Sequence, residues 1–520
     1  MCSSRVPQAL TCGLVALLVA GCTGDPEPPV PAPDQDPPQI PTEFEGEAPP
    51  GIEGEVLRHL HGDDADVHDI LDDPLGVRIS PVGGAFLISS GGEDRHLLHD
   101  AATGAALWEG EARFRGFDTD SEGAPVLLMT DEDDTPFVLG ADGETVWEPA
   151  EEGDLYLDGA AVRRPAEWTA EEPHGDFSVL DTDGDELWSY TFEPEPEPEP
   201  EEEGEEDTEE EPADEDAETD EDAEAEEETD GDDPERFGVP VAVWGEAVLL
   251  DSGDSVLRAH SLDPDDAGEH LWSVAATDEE LDLTGTAPIP VPQVLGVFTT
   301  PAPEEDDEAE AEVEDEENGA DGTDDTVDED APRTVLLRWA RPEAPSVLTA
   351  HDADDGEPLW TLPEAGTNPV SQHFDEAGAP GLLYDGDTGT LLLPQASGEA
   401  TMVAVDLVEG EVRWGLEEED GSISPAFAHA GLVYGDSRSN EDGEHQLVLD
   451  AETMDVVGDD LSAYVEAVTD TGHAILVQER QRFVYGPAPE DLEDENEDED
   501  PEDEDPGDSE STESPEADES

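Results

Sequence analysis

The chain has 520 residues, of which 147 are Asp or Glu and 17 are Lys or Arg, so its formal net charge is -130. Such an acidic chain repels nucleic acid and anionic membrane surfaces, which excludes binding through a basic patch. All 17 basic residues are Arg. The absence of Lys also excludes P-loop and Schiff-base chemistry.

The first residues, 1–21, predict an export signal. Arg5 precedes the apolar run ALTCGLVALLVAGC, which is too short to span a bilayer. Its ending, LVAGC, resembles a bacterial lipobox with Cys22 as the lipidated first residue of the mature chain. An ordinary signal peptide with an incidental Cys is the alternative. Because Cys2 and Cys12 lie within the signal, the mature chain has no disulfide partner for Cys22, and lipid attachment explains this Cys best.

Residues 22–50 are rich in Pro and acidic residues and predict an extended tether. Three further segments, 193–235, 304–330 and 488–520, hold 28, 17 and 19 acidic residues and predict disorder. We interpret them as solvated filler, with weak cation or partner binding as the alternative. The rest of the chain still holds 83 acidic residues and all 17 Arg.

A repeat becomes visible when the acidic inserts are set aside. Six segments carry a Gly four residues before a Trp: Gly104/Trp108, Gly143/Trp147, Gly184/Trp188, Gly268/Trp272, Gly356/Trp360 and Gly410/Trp414. A degenerate seventh copy has Met454 in the Gly position. Successive Trp are 39 and 41 residues apart, and the next spacing is also 41 once the 43-residue insert 193–235 is removed. A period near 40 with short β-rich runs predicts an all-β propeller of four-stranded blades.

The copy DTDGDELW poses a choice between a metal site and a turn. Asp181, Asp183 and Asp185 alternate as in the opening of a calcium loop, and Gly184 lies among them. Most other copies lack this triplet. A hairpin turn, in which Asp bonds its own backbone and Gly takes a left-handed conformation, is therefore the preferred interpretation.

The two ends of the repeat region predict how the ring closes. Residues 464–486 supply three strands, and EVLRHLHG at 55–62 supplies the fourth. Joining strands from both termini in one sheet removes exposed edges. This predicts eight blades within residues 51–487, with seven as the alternative.

The unit ISPVGGAFLISSGGEDRHLLHDAATGAALWEG resembles the pyrroloquinoline-quinone-type (PQQ-like) propeller repeat, with Asp100, Thr103, Gly104 and Trp108 matching its turn. The resemblance implies a ring in which each Trp docks between neighbouring blades. Members are either quinoprotein dehydrogenases or propellers without a cofactor. The enzymes use a vicinal disulfide and acidic and amide calcium ligands. The mature chain has one Cys, and Asn is nearly absent from its repeats, so we expect no cofactor.

Other chemistry is sparse. HLHGDDADVH places His59, His61 and His68 close together, and a zinc site is conceivable. Exposed His near a strand end is the preferred interpretation. The chain has no G-x-S-x-G, H-E-x-x-H or glycine-rich nucleotide loop, so we predict no catalytic, cofactor or metal residues.

These observations predict a monomeric, lipid-anchored, extracytoplasmic propeller that binds an envelope protein, peptide or polymer without catalysis. Its partners would include the membrane, through the anchor, and no nucleic acid. The anchor and repeat together resemble propeller lipoproteins of the bacterial envelope. An exported quinoprotein oxidoreductase is the alternative.

Overall fold

The computed structural model describes residues 43–60, 68–193, 236–301, 331–417, 423–437 and 445–487. Short gaps within these ranges are 74, 152, 282, 284–289, 342–343, 365, 367, 369–380 and 398–399. The predicted signal peptide with Cys22, the first part of the tether, the insert 304–330, the tail 488–520 and the insert 193–235 beyond its first residue lie outside the described residues.

The described residues form eight antiparallel four-stranded sheets, which confirms the all-β propeller and its eight blades. Blade 1 consists of β2 (Val77–Val82), β3 (Ala85–Ser90), β4 (Arg95–Asp100) and β5 (Ala106–Glu111), and blade 2 of β6 (Arg113–Thr119), β7 (Pro125–Thr130), β8 (Pro136–Gly140) and β9 (Thr145–Trp147). Blade 3 consists of β10 (Asp154–Leu157), β11 (Ala160–Arg163), β12 (Gly175–Leu180) and β13 (Glu186–Phe192), and blade 4 of β14 (Val239–Trp244), β15 (Ala247–Asp251), β16 (Val256–Ser261) and β17 (His270–Ala275).

Blades 5 to 8 follow the same plan, and the last blade takes one strand from each end of the described chain. Blade 5 consists of β18 (Val291–Thr299), β19 (Arg333–Ala340), β20 (Val347–Asp352) and β21 (Pro358–Pro363), and blade 6 of β22 (Leu383–Asp385), β23 (Thr390–Pro394), β24 (Ala400–Asp406) and β25 (Val412–Glu417). Blade 7 consists of β26 (Ile423–His429), β27 (Leu432–Ser437), β28 (Gln446–Asp450) and β29 (Val456–Gly458), and blade 8 of β30 (Tyr464–Val468), β31 (Ala474–Gln478), β32 (Gln481–Gly486) and β1 (Glu55–His59). Short 3-10 turns occupy Asp69–Asp72 and Glu279–Leu281.

Each blade has an inner strand A, middle strands B and C and an outer strand D. The burial pattern follows this order because middle strands are covered on both faces by neighbouring blades. The B strand β3, AFLISS, is buried throughout, whereas the D strand β5, ALWEGE, is exposed or half-buried along its length. The core is therefore divided into clusters that lie between blades, such as the cluster that joins Leu249 of blade 4 to Leu337 of blade 5.

The antiparallel order of the four strands in each blade defines two opposite ends of the ring. Turns between strands A and B and between C and D lie at one end, which we call the A–B end. Turns between B and C and the connections from one blade to the next lie at the opposite end, which we call the B–C end. This assignment follows from the antiparallel order of every sheet.

Blade 8 closes the ring as the sequence predicts. β1 pairs antiparallel with β32, and the register runs from Glu55 opposite Gly486 to His59 opposite Phe483. This pairing leaves no gap between the first and last blades and removes two exposed sheet edges.

Residues 43–50 belong to the segment predicted as a tether, and in the structure they pack against the ring. The ring of Phe44 lies 5.6 Å from that of Phe483. The backbone N–H of Glu45 donates to Gln478 Oε1 at 3.0 Å, and that of Glu47 donates to Ser462 Oγ at 2.7 Å. Because these two acceptors lie at the ends of strands on the B–C side, the chain joins the ring at its B–C end.

Across the described ranges, no helix is long and apolar enough to cross a membrane.

Candidate functional site

The repeated Gly and Trp join each blade to the next. The indole of Trp188 lies on Gly268, that of Trp272 on Gly356 and that of Trp360 on Gly410. A Cβ atom added at these three Gly would lie 2.3–2.6 Å from the ring. Each Gly also has a positive φ, so the turn and the indole both require Gly.

Indole N–H groups fix the same contact by hydrogen bonds. Trp272 donates to the Ala353 carbonyl at 3.1 Å, and Trp360 donates to the Leu407 carbonyl at 2.9 Å. Trp414 donates to the Ala451 carbonyl at 2.8 Å, although Met454, with a φ of 63°, replaces the Gly of that turn. The Trp side chains therefore hold neighbouring blades in register.

The first two blades vary this arrangement. Trp108 lies beside Phe137, and the backbone of Leu107 approaches Gly143. Trp147 is buried and packs against Tyr156 of blade 3, with ring centroids 5.7 Å apart. Gly184 has open space around its α-carbon and keeps only the positive φ of the turn.

Sequence reasoning missed the equivalent residue of the closing strand. Arg58 of β1 pairs with Val484 beside a bulge, as Trp272 pairs with Ala259 beside a bulge in blade 4. Its guanidinium lies on Gly104 of blade 1, where a Cβ would be 2.9 Å from Nε. The closing blade therefore uses Arg in the place of Trp, so a search for Gly–Trp pairs does not find it.

The DTDGDELW stretch forms the turn between β12 and β13. The N–H of Gly184 donates to the Asp181 carbonyl at 3.1 Å, and the N–H of Asp185 donates to Asp181 Oδ1 at 2.8 Å. One carboxylate of the triplet thus caps its own turn. Among the described residues, no group of three His, Cys, Asp or Glu comes together as metal ligands would.

The candidate zinc histidines do not converge in the described part of the chain. His59 Nε2 lies 2.9 Å from Gln481 Oε1, whereas His68 Nδ1 lies 3.1 Å from Glu109 Oε2. His61 lies outside the described residues.

A cavity of about 1330 Å³ opens at the A–B end of the ring. Inner strands and A–B turns of several blades form its wall. Its apolar wall includes Phe117, Val243, Val294, Phe298 and Tyr384. Among the described residues, its charged side chains are Asp118, Asp120, Glu122, Asp158, Asp181, Asp470 and Arg333. The cavity thus combines aromatic and aliphatic walls with a strong excess of carboxylates.

Two of these carboxyl groups belong to neighbouring residues, Asp118 and Asp158, because Asp118 Oδ2 accepts the backbone N–H of Asp158. Asp118 is the last residue but one of β6 in blade 2, and Asp158 with Gly159 forms the A–B turn of blade 3. Both turn residues have positive φ, 46° and 86°, as a two-residue hairpin of the Asp-Gly type requires. The inner strands of two adjacent blades therefore bring the pair together.

The pair is held by backbone donors from the following blades. The N–H of Asp158 donates to Asp118 Oδ2 at 3.4 Å, and the N–H of Val243 donates to Asp158 Oδ2 at 3.1 Å. The same kind of hydrogen bond joins blades 6 and 7, where the N–H of Gly431 donates to Asp385 Oδ1 at 3.1 Å. A carboxylate near the end of one inner strand thus accepts a hydrogen bond from the A–B turn of the next blade.

Electrostatics at the pair favour one shared proton. Burial, followed by the negative charge of Asp118, raises the pKa of Asp158 to about 8. Burial also raises the pKa of Asp118. The phenol of Tyr156 donates to the Thr119 carbonyl at 3.0 Å beside them, and burial raises its pKa as well. Two close carboxyl groups cannot both ionise cheaply, so the pair carries a proton near neutral pH.

Sequence reasoning did not select this pair, because carboxylates are too numerous to choose among. One signal was present. Asp118 and Asp158 are 40 residues apart, which is one blade period.

No protein-family model and no curated protein matches the chain. Solved structures match over most of the chain. Sqt1 of Saccharomyces cerevisiae is 12% identical, with 79% of this chain and 95% of that chain covered and a TM-score of 0.37. The computationally designed Ika8 protein is also 12% identical, with 79% and 100% covered and a TM-score of 0.35. The quinohemoprotein alcohol dehydrogenase of Comamonas testosteroni is 13% identical, with 79% and 74% covered and a TM-score of 0.35. At these identities and TM-scores, none of the three bears on what this chain binds or does.

Proposed function

We propose that this chain is an exported, lipid-anchored propeller of the bacterial cell envelope that binds a partner without catalysing a reaction. The observation that carries the proposal is the open cavity at the A–B end, whose wall is shared by the inner strands of several blades. A rigid ring with an open, mixed apolar and acidic cavity suits binding, since preorganised walls lose little entropy when a ligand enters.

The path of the N-terminal segment supports this role. Glu45 and Glu47 attach to Gln478 and Ser462 at the B–C end, so the predicted tether leaves the ring there. The described N-terminal segment therefore joins the ring at one end, and the cavity opens at the other.

The experiment is photocrosslinking in the producing cell from one position at each end of the ring. Glu122 lies in the exposed A–B turn of blade 2 at the cavity rim, and Glu148 lies in an exposed connection at the B–C end. A photoreactive residue at position 122 should capture a defined partner, and the same residue at position 148 should not. Equal capture from both positions, or capture from position 148 alone, would contradict binding at the cavity.

The competing function is an exported quinoprotein oxidoreductase, and a spectrum separates the two. The purified full-length protein should show only the absorbance of its aromatic residues. Quinone absorbance that stays with the protein through gel filtration would support the oxidoreductase and contradict the binding role.

A further inference from the structure

We propose that the cavity at the A–B end binds a basic peptide segment and places one of its cationic side chains against the carboxyl groups of Asp118 and Asp158. This inference deepens the proposed binding function and rests on it.

The walls of the cavity suit a peptide side chain that has an apolar stem. A volume of about 1330 Å³ exceeds the roughly 300–1,000 Å³ of ordinary small-molecule pockets. The rings of Phe298 and Tyr384 lie 5.1 Å apart in the wall, and the Phe117 ring is 48% exposed. Aromatic faces of this kind attract guanidinium and ammonium groups and also cover their methylene stems.

The charges of the cavity select a cation. Six carboxyl groups line it, from Asp118, Asp120, Glu122, Asp158, Asp181 and Asp470, and Arg333 is the one basic residue among the described lining residues. Arg333 approaches Gly245 in the A–B turn of blade 4. An anionic ligand would meet repulsion from nearly every charged group of the wall.

An organic cation fits the pair better than a metal ion does. Calcium needs six to eight oxygen ligands, and magnesium needs an octahedral set. In the described residues, no three potential ligands gather in one place. The pair already accepts three backbone donors: Asp158 Oδ2 accepts the Val243 N–H, Asp118 Oδ2 accepts the Asp158 N–H and Asp118 Oδ1 accepts the Thr119 N–H. The remaining lone pairs can accept the fork of donors that a guanidinium presents.

A cation would replace the proton that the pair shares. The titratable groups around the pair are Asp120 in the turn after β6 and Tyr156 on β10. Tyr156 is a neutral phenol, whereas the carboxyl groups of Asp118, Asp120 and Asp158 favour a positive charge beside them. The other charged groups among the described lining residues are Asp181 in the turn between β12 and β13 of blade 3, Asp470 in the A–B turn of blade 8 and Arg333 at the start of β19 in blade 5. Binding should therefore release a proton near neutral pH and tighten as the pH rises toward 8.

The test is calorimetric titration of the full-length protein with the peptide Leu-Arg-Leu amide and with its citrulline counterpart, which has nearly the same shape without the charge. We expect the arginine peptide to bind at least tenfold more tightly. Its binding enthalpy at pH 7 should vary with the ionisation enthalpy of the buffer, because a proton is released. Equal affinity of the two peptides would overturn the proposal, as would an enthalpy that is independent of the buffer.

Matched variants locate the binding. Asp158→Asn keeps an acceptor for the Val243 N–H and a residue type that tolerates positive φ, so the turn should survive. It should weaken arginine binding by about tenfold, the factor that corresponds to about 1.4 kcal/mol. Glu148→Gln removes a carboxylate at the B–C end and should leave binding unchanged. Equal weakening by both variants would mean that net charge, not the pair, attracts the peptide.

Two further outcomes separate this inference from the proposed function. Calcium chloride that competes with the arginine peptide in the wild type but not in Asp158→Asn would assign the pair to a metal and overturn the inference. Capture of a partner from position 122 together with no arginine-peptide binding would also overturn it, and would leave the proposed function standing.

Discussion

The guanidinium of Arg58 lies on Gly104 as the indole of Trp272 lies on Gly356. Arg58 donates to three backbone carbonyls of the blade 1 turn, those of Asp100, Ala101 and Ala102, at 2.8–3.1 Å. The residue that locks the ring is thus supplied by the first strand of the described chain.

Arg58→Ala should therefore loosen the closure of the ring. The change leaves carbonyls without their donors, and Ala101 is fully buried, so we expect a loss of about 3 kcal/mol. Chemical denaturation measures the loss, and hydrogen exchange should show faster exchange in β1. Arg78→Ala is the control, since Arg78 pairs with Glu93 at the surface and should cost less than about 1 kcal/mol. Equal losses would mean that Arg58 acts only as a surface charge.

The stacking of Trp on Gly can be tested at the Gly. Gly356→Ala adds a Cβ that would lie 2.6 Å from the Trp272 ring, at a φ of 72°. Gly184→Ala imposes the same kind of backbone strain, at a φ of 89°, with nothing within 4 Å of the new atom. Both should destabilise by about 1 kcal/mol through the backbone, and Gly356→Ala by a further 1–3 kcal/mol, roughly, through overpacking. Thermal unfolding of the two variants checks the difference, and similar melting temperatures would contradict the inter-blade contact.

Buried histidines should make the ring sensitive to acid. His351 is buried, with Nε2 at 2.8 Å from Thr349 Oγ1, and burial lowers its pKa from 6.5 to about 4. Between these values the unfolded chain binds a proton that the folded chain does not, so stability falls as the pH falls. Relative to His351→Gln, the free energy of unfolding of the wild type should fall by about 1.4 kcal/mol for each pH unit as the pH is lowered from about 6.5 to about 4. Denaturation curves at several pH values give the slope, and parallel curves for the two proteins would contradict a neutral buried His351.

Asp158 gives the opposite slope in the same experiment. Its pKa is raised from 3.8 to about 8, so the folded chain keeps a proton that the unfolded chain has lost. The stabilisation by this proton is complete below about pH 4 and declines as the pH rises toward about 8. The free energy of unfolding of the wild type minus that of Asp158→Asn should therefore decrease with rising pH. The corresponding difference between the wild type and His351→Gln should increase.

Anchoring is tested at the predicted lipobox. Cys22→Ser should block lipid attachment and move the protein from the membrane fraction to the soluble fraction, since stable retention needs more than one acyl chain. Cys12→Ser, a change of the same type within the predicted signal, should leave the protein in the membrane fraction. Retention of the Cys22→Ser protein in the membrane fraction would show that the lipobox interpretation is wrong.

The ring could be predicted from the sequence because its repeat is local. The Gly and Trp of one turn are four residues apart, and the two halves of blade 8 were recognisable as three strands and one missing strand. Arg58 was not predicted because its role depends on pairing with Val484, more than 400 residues later. Asp118 and Asp158 lie on different blades and become neighbours only when blades 2 and 3 pack together. Their one-period spacing could have been noticed, but among 147 acidic residues nothing local marks them.

Salt should stabilise the folded ring. Outside the three acidic segments, 83 acidic residues face 17 Arg, and folding brings these like charges closer together. Raising the salt from 0.1 M to 1 M shortens the Debye length from about 10 Å to about 3 Å and should weaken their repulsion. Specific calcium sites would instead respond to millimolar calcium at fixed ionic strength. We expect the screening response, because Asp181, which begins the Asp triplet, already uses a carboxylate oxygen to accept the Asp185 N–H within its own turn. The measurement is the melting temperature in 0.1 M and 1 M sodium chloride, each with chelator or with calcium. A melting temperature that ignores sodium chloride but rises to saturation with calcium would contradict screening and would return the DTDGDELW turn to consideration as a metal loop.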